Sequence, residues 1–351
     1  MEDSQLYAQI IPPLLYWYAA CARDLPWRRE ISPYRTWISE IMLQQTRVEA
    51  VIPYFERFMR ELPTVEDLAK VSPDRLNKLW EGLGYYSRAR NLQKAAVCIV
   101  QQYRGRMPAD YDALLKLPGI GPYTAGAIAS IAFGLPEPAI DGNVIRVCTR
   151  LSANDTRADL PVLKQQLYRD LKAVYPPHQS SAFTQALMEL GATVCIPNGS
   201  PRCDACPAAF ACRAHEMGRE TDYPVKPSKK SRRICLRTVF ILHCNGRYAI
   251  RRRPEKGLLA GLWEFPSVDG KWDILSAQRY FTASPCAPVS LSCGLDACHI
   301  FTHIEWHMSS FRVECAHTDP ALIWVTPDEL AAHYPLPSAF RVFAGDIGVR
   351  I

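Results

Sequence analysis

No run of about eighteen apolar residues occurs in the sequence, so no segment is expected to cross a membrane as a helix. The opening Met1-Glu2-Asp3 and the Pro12-Pro13 pair inside the first apolar stretch are unlike a secretory signal, which places the expected location in the cytoplasm, at a bacterial nucleoid. No internal repeat is present, and the only biased segment is a short basic one near residue 230. A large charge excess is missing too: 41 Lys and Arg face 35 Asp and Glu, a formal net charge of +6. That balance permits nucleic-acid binding without requiring it. The thirteen cysteines make an odd count, and Cys98, Cys148 and Cys235 stand singly in apolar runs. This suits reduced core thiols better than a disulfide framework.

What is present is 48% apolar content over 351 residues, more than one domain usually holds, so two folded domains are expected. Apolar residues recur at helical spacing over 34–59, 75–102, 110–134, 143–151 and 160–193, which predicts an all-α domain over residues 1–222. The Pro- and charge-rich stretch 223–234 reads as a linker, where Lys229, Lys230, Arg232 and Arg233 are candidates for phosphate contacts although charge runs are usually just solvated. Beyond it, 236–243 and 247–251 read as strands joined by a Cys244-Asn245-Gly246 turn, with further strands at 309–315 and 322–326. Residues 235–351 are therefore expected to form a smaller α+β domain.

Three local patterns carry chemistry. In Leu117-Pro118-Gly119-Ile120-Gly121-Pro122-Tyr123-Thr124, two glycines let the backbone turn tightly between helices and aim amide N–H groups at a place suited to a phosphate. Asp141 follows a Gly/Pro-rich loop, and the whole resembles the helix-hairpin-helix of DNA glycosylases, which keep a catalytic aspartate there. Cys195, Cys203, Cys206 and Cys212 are spaced closely enough to converge four thiolates on one centre, and spacing alone leaves zinc and an iron-sulfur cluster both open. On one helix, Glu40, Gln44 and Arg47 would form a polar stripe opposite Trp37, Ile41 and Val48, either a solvated face or part of a site.

Two further segments, Trp37-Ile38-Ser39-Glu40-Ile41-Met42-Leu43-Gln44-Gln45-Thr46 and Trp80-Glu81-Gly82-Leu83-Gly84-Tyr85-Tyr86-Ser87-Arg88-Ala89-Arg90, closely resemble the MutY-type adenine DNA glycosylases. The resemblance implies an all-α helix-hairpin-helix glycosylase domain carrying one [4Fe-4S] cluster on the four cysteines. The family's loop is one residue shorter between the first two cysteines, and the turn at 196–202 has room for the extra residue. Glu40 matches the acid that protonates the departing adenine, and Asp141 matches the carboxylate that stabilises or traps the oxocarbenium-like sugar. Tyr123 and Asn143 match residues that hydrogen-bond within that site. Tyr123 also stands where bifunctional relatives place a Schiff-base lysine, which implies hydrolysis to an abasic site without strand cleavage.

The implied partner is double-stranded DNA with adenine opposite 8-oxoguanine or guanine, bound by a monomer that extrudes the base. Arg23, Leu25, Trp27, Arg28 and Gln185 match the adenine pocket. Tyr85 matches the intercalating residue, and Gln44, Gln45, Thr46, Leu83, Gly119 and Gly121 match positions along the DNA and the opposite base. The C-terminal part resembles the family's Nudix-like half through 257–266, while 267–282 offers only Asp269 and Asp273 where a working Nudix box needs several glutamates. Hydrolase activity is not expected of it. Phe301-Thr302-His303 matches the 8-oxoguanine-sensing loop, with threonine where serine is commoner. The rival readings are an endonuclease III-like pyrimidine glycosylase and lyase, and a lesion-binding protein without catalysis.

Overall fold

The computed structural model describes residues 3–227, 231–282 and 284–349. They form two compact units, one from 3–70 and 90–227, the other from 71–89 and 231–349. The expected limits were 1–222 and 235–351. Residues 71–89 instead group with the C-terminal unit, where the Leu336 backbone N–H donates to Glu81 Oε1 at 2.8 Å. The expected linker also shrinks from both ends. Tyr223 is buried and accepts a 3.1 Å hydrogen bond from Arg150 Nε, Ala158 N–H donates to the Val225 carbonyl, and Arg233 already begins a strand. Lys229 and Lys230 lie outside the described residues.

The first unit is helical. Its N-terminal helix, Asp3–Cys21, buries Leu6, Tyr7, Ile10 and Leu14 in a core shared with Gly142–Ser152, Pro161–Lys172 and Ser180–Thr193. Fully burying side chains such as Leu167 and Phe183 there contributes about 1.5–3 kcal/mol each. The expected continuous helix over 34–59 is two, Pro33–Leu43 and Val48–Glu61, because Gln45 takes φ 59 and stops the i to i−4 ladder. Gln44 is consequently a C-cap and Arg47 an N-cap, so the Glu40-Gln44-Arg47 stripe does not exist on one helix. Glu40 is buried rather than on a solvated face.

The hairpin runs from helix Tyr111–Leu115 to Pro122–Ala127, which continues as a π-helical turn over Ile128–Ala132. Only one of its two glycines is required. Gly119 has φ 77 and a Cβ there would fall 2.6 Å from Asn91 Cβ, whereas Gly121 has φ −95 and open space around it.

The second unit is built on one sheet: β1 (Arg233–Cys244), β2 (Arg247–Arg252), β3 (Trp263–Glu264), β4 (Ser267–Asp269), β5 (Pro288–Ile300), β6 (Ile304–Cys315) and β7 (Ile323–Val325). The order is β3-β2-β1-β6-β5, with β4 on β1 and β7 on β2. β1 and β6 run parallel from the Arg233–Ile304 pair to His243–Glu314. Val239 and Ile241 face a core with Phe340 and Phe343, while Phe240 and Leu242 face another with Ala277 and Phe281 of helix Ile274–Phe281. Both faces of the central strand are thus covered, which fits its unbroken apolar run. Pattern reading did not find β5, an edge strand whose Ser, Cys, Gly and Asp residues are largely exposed. Among the described residues no helix is long and apolar enough to cross a membrane.

Candidate active site

A cavity of about 760 Å³ in the first unit is lined by Glu40, Tyr123, Asp141 and Asn143, by Arg23, Leu25, Trp27, Arg28 and Gln185, and by Gln44, Gln45 and Thr46. Twelve positions singled out in the sequence therefore share one wall. Glu40 comes from the buried face of Pro33–Leu43, Tyr123 from the start of the second hairpin helix, and Asp141 and Asn143 from the first turn of Gly142–Ser152.

The two carboxylates sit in different surroundings. Burial raises the Glu40 carboxyl to about 7; the Tyr123 hydroxyl, which donates to its Oε2, opposes the rise, the Asp141 charge adds to it and Arg28 opposes it. Burial raises Asp141 as well, but donors to its ionised form surround it. Val144 N–H donates to Oδ1 at 2.7 Å in an N-cap, Asn143 Nδ2 donates to Oδ2 at 2.7 Å, and Arg146 adds a positive field. Glu40 is thus equipped to hold a proton near neutrality, and Asp141 to carry charge.

Arg146 continues the network. Its Nη2 donates to Asn143 Oδ1 and to the Gly191 carbonyl, each at 2.7 Å, and its Nε to the Cys195 carbonyl at 2.7 Å. Gly191 is needed for this approach, since a Cβ would meet Asn143 Cβ at 2.5 Å. One turn on, Arg150 donates from Nη1 to Cys195 Sγ at 3.2 Å and to the Ile196 carbonyl at 3.0 Å. Cys195, Cys203, Cys206 and Cys212 form no disulfide and stand half-buried around a small cavity beside Arg150.

Sequence reasoning missed Glu189. Its carboxylate, completely buried, takes Arg23 Nε at 2.7 Å, Arg23 Nη2 at 2.9 Å and Arg28 Nη2 at 2.8 Å. Burial works against its ionisation, yet the two guanidiniums pull it down to about 2. Arg23 and Arg28 thus line the cavity already engaged, and their available donors are fewer than expected. A glutamate at a helical position carries no sequence signal of such a role. Gln185 is buried and turns its amide toward Ser181.

Gly119 and Gly121 line a neighbouring cavity of about 740 Å³ with Tyr123, Lys164 and Arg169. The other positions lie in the second unit. Tyr85 is 47% exposed at φ 47, an uncommon conformation for an aromatic residue. Its loop is held by Arg88, which donates to the Leu83 and Gly84 carbonyls and lies over the Trp80 ring, while Leu83 is buried. The Tyr85 hydroxyl meets Thr302 Oγ1 at 2.7 Å. Phe301-Thr302-His303 is a tight turn closed by Phe301 N–H on the Ile304 carbonyl, with Phe301 packed on Trp306 and the His303 carbonyl accepting from Arg233 N–H. Asp269 pairs with Arg237 and Asp273 caps helix Ile274–Phe281, so both acids of that segment have structural partners.

Residues 38–176 match the model of the HhH-GPD superfamily of base excision DNA repair proteins, and residues 238–344 match a NUDIX domain. A rat protein named adenine DNA glycosylase is 35% identical, with 94% of this chain and 77% of that protein covered. The chain belongs to the adenine DNA glycosylase family. An Arabidopsis thaliana family member is 39% identical over 83% of this chain, which spans only 55% of that protein's length. The architecture is that of a helical HhH-GPD domain followed by a smaller Nudix-like α/β domain. Among solved structures, endonuclease III trapped in a covalent DNA intermediate aligns at a TM-score of 0.53 with 27% identity, covering 62% of this chain and 99% of that one.

Proposed function

We propose that this chain excises adenine from duplex DNA where adenine lies opposite 8-oxoguanine or guanine, leaving an abasic site. The observation that carries this reading is the pairing of Glu40, held near neutrality by burial, with Asp141, ringed by hydrogen-bond donors, in one cavity. Breaking the bond to adenine requires a proton on the leaving purine, and Glu40 supplies it. The sugar then becomes cationic, and Asp141 stabilises it electrostatically or traps it covalently until water completes hydrolysis. Tyr123 positions the acid through its hydroxyl and Asn143 positions Asp141. Position 123 carries tyrosine where bifunctional relatives place a Schiff-base lysine, so the proposed reaction is hydrolysis that leaves the strand intact. Trp27 and Leu25 supply apolar wall for the extruded base, and Gln185 polar atoms.

The DNA partner, the intercalation of Tyr85 and the sensing of the opposite base by Gln45, Thr46 and the 301–303 turn are parts of the same proposal. The four cysteines suit a [4Fe-4S] cluster. They line one small cavity together with Arg150 and offer four thiolates to one centre. When bound, the cluster ties the 195–212 loop into one fold, and Arg150 donates to the Cys195 sulfur.

Single-turnover assays on labelled duplexes with A:8-oxoguanine, A:G or A:T, developed with and without alkali, test the reading. Alkali-dependent cleavage at the mispaired adenine with A:T untouched is expected. Cleavage without alkali, or tight binding without excision, overturns it.

A further inference from the structure

A second set of metal-ligating side chains stands on the sheet of the second unit. Cys298 lies on β5, Glu305 and His307 on β6, and the register pairs Cys298 with His307 and Ile300 with Glu305. Glu305 and His307, two residues apart, share a face, and Cys298 projects beside them from the adjacent strand. Glu305 Oε1 accepts from Cys298 Sγ at 3.4 Å and meets His307 Nε2 at 2.7 Å. One ligand atom from each residue lies within 4.8 Å of the other two, with Cys298 and His307 exposed and Glu305 half-buried.

We propose that Cys298, Glu305 and His307 form a Zn²⁺ site, with water as the fourth ligand. The donor set decides the class of ion. Mg²⁺ and Ca²⁺ take oxygen ligands, whereas a thiolate, an imidazole and a carboxylate together suit zinc. Size agrees as well: bonds of about 2.0–2.3 Å in a tetrahedron put ligand atoms about 3.3–3.8 Å apart. The Cys298–Glu305 contact at 3.4 Å already lies in that range, and the Glu305–His307 contact at 2.7 Å has to open to reach it. The strand ladder already fixes the three Cα positions, so little ordering remains to oppose binding.

Proton balance is simple. In the ion-free group one carboxylate oxygen contacts both a thiol and an imidazole. Binding releases the Cys298 proton to solvent, and the thiolate, neutral imidazole and carboxylate then bond to zinc. Because β5 and β6 are joined by residues 301–303, the ion would pin the two strands at the base of that turn.

The test uses the full-length purified protein, equilibrated with Zn²⁺ and stripped of loosely held metal, with retained zinc titrated by a chromophoric chelator. Co²⁺ in place of Zn²⁺ reports thiolate ligation through its charge-transfer absorption. Wild type is expected to hold one stoichiometric zinc more than Cys298→Ser or His307→Ala, with affinity at this site falling at least about tenfold in either variant. Cys293→Ser removes an exposed thiol of the same strand outside the group and should change nothing. Subtracting the Cys298→Ser value removes any zinc held at the four-cysteine loop, and two separate variants guard against one misfolding. Equal zinc in wild type and both variants, or no thiolate-to-cobalt band sensitive to Cys298→Ser, overturns the proposal.

Discussion

Arg146 donates from Nη2 to Asn143 Oδ1 at 2.7 Å, and Asn143 passes the orientation on by donating to Asp141 Oδ2 at the same distance. The same guanidinium caps the carbonyl of Cys195, the first residue of the cysteine loop. One buried cation thus fixes the carboxylate of the cavity and the start of the loop together. Arg146→Ala would strand the Gly191 and Cys195 carbonyls without their charged donor. A loss of about 2–4 kcal/mol in urea unfolding is expected; a change within experimental error would remove Arg146 from this role.

Glu189 neutralises two arginines from a position with no solvent access. Glu189→Ala should cost about 3–5 kcal/mol, because it leaves Arg23 and Arg28 with unmatched charge. The pH response has a definite sign. The folded carboxyl sits at about 2, below its ordinary 4.5, so its contribution is complete above 4.5 and disappears as pH falls toward 2. The stability difference between wild type and Glu189→Gln, followed by denaturant titration, should narrow over that acid range.

Glu40 shows the opposite linkage. Its folded value of about 7 exceeds the ordinary 4.5, so the native state binds the proton more tightly and loses that advantage as pH rises through 7. Glu40→Gln, which keeps the shape without ionising, should therefore be more stable than wild type at pH 8, by up to about 3 kcal/mol. The gap should narrow as pH falls from 7 and close below pH 4.5. A gap independent of pH would mean that Glu40 does not titrate in this interval.

Tyr123→Phe removes the hydroxyl that favours the charged Glu40. The acid should then hold its proton to higher pH, and the alkaline limb of the excision rate should move upward by a fraction of a unit or more. A downward move would show that the Tyr123 hydroxyl does not donate to the Glu40 carboxylate.

Much of this was legible in the sequence, for identifiable reasons. Gly119 was readable because only glycine fits φ 77 against Asn91. β1 and β2 were readable because apolar runs flank an Asn245-Gly246 turn whose residues take φ 50 and 76. Gln45 and Tyr85 were not legible as breaks in the helical spacing of 34–59 and 75–102, the latter being two helices, Pro73–Leu79 and Ser87–Tyr103, since neither residue type favours a positive φ. The grouping of 71–89 with the C-terminal unit rests on long-range contacts such as Glu81 with Leu336, which periodicity does not encode. Glu189 and Arg146 escaped notice for a related reason: on a helix each reads as an ordinary surface charge until the fold buries it.

The role of Glu40 as the acid is decided by the single-turnover excision rate on an A:8-oxoguanine duplex as a function of pH. For wild type the rate should fall about tenfold per unit above pH 7, as the acid form is lost. Glu40→Gln should be slower by about 10²–10⁴-fold while still binding the duplex. Excision by Glu40→Gln at the wild-type rate would show that Glu40 is not the proton donor.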